Sequence, residues 1–91
     1  MSPVRYLGVV HYMRAKSLVA EAATLVESSP RSPDTGALIA LLGRFAAITP
    51  AVPRHLQTAY FVALIHGNLA ARGRAVDSLG LYLLKAALEK H

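Results

Sequence analysis

At 91 residues the chain holds material for one compact domain, and with 54% hydrophobic against 16% charged residues it is not an intrinsically disordered segment. Ten Lys and Arg against five Asp and Glu give a net charge of +5, which attracts polyanions and acidic proteins without choosing between them. The lack of cysteine excludes a disulfide scaffold, a thiolate nucleophile and any Cys-based metal site.

Breakers divide the sequence into four helical segments, and no run alternates with period two or carries a hairpin signal. The first predicted helix spans about Val4 to Ser28 and is stopped by Pro30, which pushes Ser29 out of the helical region. Gly8 is its weak spot. His11 falls among Leu7, Leu18 and Leu25, a setting that predicts a half-buried, hydrogen-bonded imidazole. The apolar run before His11 and Arg14 is too short for a secretory signal, so a cytoplasmic location is expected.

The second predicted helix runs to about Ile48, with Ser32 as its cap, Pro33 in the first position and Asp34 at the positive end of the dipole. At 100° per residue Leu38, Leu41, Leu42, Phe45 and Ile48 form a core stripe. Gly36, Ala40, Gly43 and Ala47 line the opposite side, where a neighbouring backbone is expected to approach closely. The segment Thr49 to Pro53 breaks the pattern, with Thr49 a candidate cap for a third helix ending near Arg72. That helix is apolar nearly all round. Leu56, Tyr60, Ala63, Leu64 and Ala71 lie on one side and Phe61, Val62, Ile65 and Leu69 on the other, so it is expected to be sandwiched centrally between its neighbours. The uncharged stretch from His55 to Ala71 carries Gln57, His66, Gly67 and Asn68, where a membrane span needs about 20 mainly apolar residues.

Gly73 suits a C-cap with positive φ, which lets the chain reverse into a fourth helix from about Arg74 to Glu89. Two apolar stripes run along it, one through Val76, Leu79, Leu83 and Ala86 and one through Leu81, Leu84 and Leu88. A terminal helix has too few neighbours to cover both, and a domain of this size buries only roughly 60 to 65% of the surface its unfolded chain exposes. The expectation is that Leu81, Leu84 and Leu88 stay uncovered and mark an association site, unless the first helix folds back over them.

Candidate chemistry is sparse. His55 and His66 lie about 16 Å apart along one helix by its rise per residue, too far to share a metal ion. His91 is the fourth histidine, and the few carboxylates, Glu21, Glu27, Asp34, Asp77 and Glu89, sit near helix ends or exposed faces rather than in an acid/base pair. No enzyme, no cofactor and no metal is therefore expected. The triplet Asp77, Ser78, Leu79 resembles the site at which acyl carrier proteins bear their phosphopantetheine arm, but those carriers are usually acidic and this chain is basic. The triplet reads as the first turn of a helix.

Leu69, Ala70, Ala71, Arg72, Gly73 and Arg74, leading to Leu79 and Tyr82, resemble one tetratricopeptide-type repeat, in which a helix ends in a glycine turn and a second helix packs back. Gly73, Ser78 and Tyr82 occupy the turn, small and aromatic places of that pattern, although Ser78 stands where alanine is usual and Lys85 where a small residue is. The run is also similar to the small tetratricopeptide-like chaperones of type III secretion systems, which bind the amphipathic helix of the needle subunit. That resemblance implies stacked antiparallel helical hairpins and a groove for a partner's helix.

Together these features predict a single all-α domain over residues 1–91, a four-helix fold with two stacked antiparallel hairpins as one arrangement. The expected function is a protein–protein interaction module, chaperone or adaptor. A partner's amphipathic helix, or a second copy of the chain, covers Leu81, Leu84 and Leu88, while Arg74 and Lys85 select an acidic rim. The alternative is a small basic nucleic-acid-binding regulator that contacts phosphates through Arg54, Arg72 and Arg74.

Overall fold

A computed structural model of the chain describes residues 3–29, 32–74 and 77–90, with the backbone alone for residues 3–10 and Ser78. Among the described residues are four helices and no strand: α1 (Pro3–Ser28), α2 (Thr35–Ile48), α3 (Arg54–Ala71) and α4 (Ser78–Glu89). The breaker pattern thus leads to an all-α architecture. Val76, His91 and the side chains of Leu7 and Ser78, each invoked by the sequence reading, lie outside the described residues.

Helix ends follow cap chemistry, with some shifts from expectation. α2 is capped by Asp34 rather than Ser32; its Oδ1 accepts from the Ala37 amide at 3.1 Å, and a carboxylate there also meets the positive helix end. Thr49 closes α2 instead of opening α3, because its Oγ1 donates to the Phe45 carbonyl at 2.7 Å. α3 then begins after Pro53 with no side-chain cap. At its far end Gly73 adopts φ 74°; its amide donates to the Ala70 carbonyl, and the Arg74 amide reaches back to Leu69, both at 2.9 Å. This is the Schellman pattern, and it fixes the turn where the glycine predicts it. α4 starts four residues later than expected, since Asp77 Oδ1 accepts from the Leu79 amide at 3.1 Å and serves as its cap.

Packing joins α1 to α2 and α3, α2 to α3 and α4, and α3 to α4. The shared core contains Leu18, Val19, Ala22, Ala23 and Val26 of α1, Leu38, Leu41 and Phe45 of α2, and Phe61, Val62, Ile65 and Leu69 of α3. Leu42 and Ile48 pack at its margin, so the expected α2 stripe is the buried one. Full burial contributes roughly 1.5 to 3 kcal/mol for each large side chain.

Three expectations about faces need correction. The small-residue side of α2 meets no neighbouring backbone: Gly36, Ala40, Gly43 and Ala47 are exposed, because α1, α3 and α4 all gather on the leucine side. α3 is buried on one side only, with Leu56, Tyr60 and Ala63 left exposed. His11 is exposed too, since the α1 core contribution begins one turn later, at Ala15. The open surroundings of Gly43, whose added Cβ would meet nothing within 4 Å, carry a stability consequence. Gly43→Ala is expected to raise stability by about 0.5 to 1 kcal/mol, measured as a higher urea midpoint at unchanged slope.

Candidate functional site

α4 presents its two apolar stripes the other way round from the sequence expectation. Leu84 and Leu88 are 5% and 1% exposed and join the common core, with Leu81 packed beside them, whereas Leu79, Tyr82 and Leu83 are 60%, 68% and 57% exposed. The covering elements are α2 and α3, not α1. Both stripes are comparably apolar, so periodicity alone cannot decide which one faces inward. The supply of apolar surface still exceeds what the domain covers, but the uncovered ridge is Leu79, Tyr82 and Leu83.

The two basic residues expected at an acidic rim are engaged within the chain. Arg74 Nε lies 2.9 Å from Glu27 Oε1, and Lys85 Nζ lies 3.8 Å from Glu89 Oε1 one turn along α4. Arg72, from the phosphate-binding alternative, reaches Glu27 Oε2 at 3.4 Å and also donates to Thr24 Oγ1 and the Ala20 carbonyl. Arg72 and Arg74 therefore tie the α3–α4 turn to the last turns of α1. Ion pairs this exposed contribute little stability individually, but they orient both arginines toward Glu27. Arg54 is exposed at the start of α3.

A second apolar surface, which the sequence reading did not find, is an open groove of about 580 Å³. One wall is α1, through Tyr12, Ala15, Lys16 and Val19; the other is α3, through Tyr60, Ala63, Leu64 and Gly67. Phe45 and Ile48 contribute from α2, and the α2–α3 turn also lines the groove. Phe45 supports this region through tilted ring contacts, with centroids 5.9 Å from Tyr60 and 4.9 Å from Phe61. Lys16 Nζ sits 5.5 Å from the Tyr12 ring centroid, a cation–π contact along the α1 wall. Among the described residues no carboxylate lines the groove. The signal in the sequence that points to it is the second apolar side of α3, through Tyr60, Ala63 and Leu64. Asn68 also belongs to the lining, and its Oδ1 is buried without a hydrogen-bond donor.

A larger hollow of about 1040 Å³ lies beside α4, where Leu69, Leu79, Leu81, Leu83 and Leu84 meet the paired Glu27 and Arg74. His55 and His66 are both exposed on α3, and among the described residues no three His, Asp or Glu side chains gather to hold a metal ion. No helix among those residues is long and apolar enough to cross a membrane. The chain matches no known family, and no curated protein or solved structure is significantly similar to it.

Proposed function

We propose that this protein is a binding module that receives an amphipathic helix of a protein partner in the groove between α1 and α3. The observation that carries the reading is the groove's chemistry: aromatic walls from Tyr12 and Tyr60, small residues at Ala15, Ala63 and Gly67, and Lys16 with no carboxylate among the described lining residues. Small side chains let a second helix approach closely, the aromatic walls supply contact area, and the lysine favours a guest with an acidic edge. This keeps the helix-in-groove mechanism expected from the sequence and moves it from Leu81, Leu84 and Leu88, which are occupied in the core, to the other side of the domain. The neighbour order of the helices, with α1 beside α3 and α2 beside α4, is that of stacked hairpins, but Tyr82, expected on the inner side of a tetratricopeptide-like repeat, is exposed instead; a tetratricopeptide-like chaperone or adaptor is one form the binding module could take. A chaperone of type III secretion is one form of that proposal.

The test uses a fluorescent synthetic helix with Leu at i, i+3, i+4 and i+7 and Glu along one edge. Saturable binding is expected, and it should persist when salt rises from about 50 to 200 mM, where a phosphate-dependent complex would weaken by orders of magnitude. Ala63→Arg should weaken binding by about tenfold or more at unchanged helix content, because Ala63 is exposed and arginine is a good helix former. Equal binding by the variant sinks the groove reading. Steeply salt-dependent binding of duplex DNA, with no binding of the synthetic helix, would establish the nucleic-acid alternative instead.

A further inference from the structure

We infer that the helix occupying the α1–α3 groove is α4 of a second copy of this chain, inserted through its ridge of Leu79, Tyr82 and Leu83; the inference rests on the groove reading above. The exposed large apolar side chains divide between two places. Tyr12 and Tyr60 are groove walls, with Met13 and Leu56 near them in sequence, and Leu79, Tyr82 and Leu83 form the ridge. The ridge is spaced i, i+3, i+4, the spacing with which a helix anchors in an apolar groove. Among the described residues no other helix exposes three large apolar side chains at that spacing.

Shape and charge agree with the pairing. The ridge presents bulky exposed side chains, of which Leu79 and Leu83 also border the hollow beside α4, whereas the groove offers Ala15, Ala63 and Gly67, and a Cβ added at Gly67 would meet nothing within 4 Å. α3 contains no acidic residue, and Lys16 supplies positive charge on the facing wall. Glu89 follows Tyr82 by two turns and lies on the same side of α4, beyond Lys85, so a Lys–Glu pair flanks the ridge and its carboxylate is the group that can meet Lys16. Its contact with Lys85 is long, at 3.8 Å, and both partners are solvated, which leaves it free to exchange for Lys16.

Among the described residues none from α4 lines the groove of its own chain. Ridge and groove are therefore different patches, and their union is a heterologous contact, which adds copies head to tail or closes into a ring. A contact of three anchors belongs to the small class of interfaces, so association is expected to be weak, reversible and dependent on concentration.

Sedimentation of the full-length chain and two variants tests this. Ala63→Arg blocks the groove and keeps the ridge; Leu83→Asp spoils the ridge and keeps the groove; both positions are exposed. The wild-type mass should climb with concentration, each variant alone should stay monomeric, and an equimolar mixture of the two should form a heterodimer through the one intact pairing. Association of Ala63→Arg alone, failure of the mixture to pair, or a wild type that stays monomeric throughout would each overturn the inference. If the wild type is monomeric yet binds the synthetic helix through Ala63, only the identity of the guest falls; if it binds neither, the groove reading falls as well. Circular dichroism confirms folding, and Gly67→Arg and Tyr82→Asp replace any variant that loses helix content.

Discussion

Leu84→Asp is expected to abolish cooperative folding, while the same substitution one residue earlier, Leu83→Asp, leaves the helical signal and the melting transition nearly intact. The two leucines are adjacent in sequence and opposite in environment, at 5% and 57% exposure. Truncating a buried leucine costs about 2 to 5 kcal/mol. A carboxylate placed there without a partner adds several kcal/mol of desolvation. Against a total stability of about 5 to 15 kcal/mol for a domain, and near the lower end for one this small, that sum removes most of the folded population. Leu83→Asp loses little, because more than half of its surface already meets water. The pair of variants, compared by far-ultraviolet circular dichroism and urea titration, therefore reports which stripe of α4 faces inward. A cooperative transition in Leu84→Asp near that of the wild type would return Leu81, Leu84 and Leu88 to the surface.

This contrast also locates the limit of what the sequence discloses. Helix number, the α2 core stripe and the Gly73 turn are legible because each depends on local chemistry: prolines that stop a helix, a periodic run of Leu and Phe, and a glycine that accepts positive φ. The choice between two apolar stripes on α4 is not local. It depends on how the Gly73 turn and the Asp77 cap set the rotation of the helix against α2 and α3, and no periodicity in residues 78–89 encodes that rotation. The groove was hidden for a related reason. Tyr60, Ala63 and Leu64 read as a face covered by a neighbour, and only the placement of α1 against α3 shows that the neighbour forms a wall beside that face rather than a cover over it.

Phe45→Ala is expected to lower the melting temperature by at least about 12 °C and to weaken binding in the groove even at temperatures where the variant remains folded. Phe45 is fully buried, and its ring is in tilted contact with Tyr60 and Phe61, so it joins α2 to both the exposed and the buried side of α3. Removing a buried phenylalanine costs about 3 to 5 kcal/mol, and each kcal/mol shifts the midpoint of a domain this size by roughly 4 to 8 °C. The effect on binding has a separate origin. Phe45 lines the groove and packs beneath the Tyr60 wall, so the truncated variant leaves that ring free to sink toward the cavity and takes contact area from the guest helix. Phe45→Leu refills part of the space without restoring the ring contacts, and is expected to recover more of the melting temperature than of the binding. Calorimetry and anisotropy titration on the same samples distinguish the two effects: a loss of stability with unchanged affinity would make Phe45 a core residue alone, and place the Tyr60 wall outside its support.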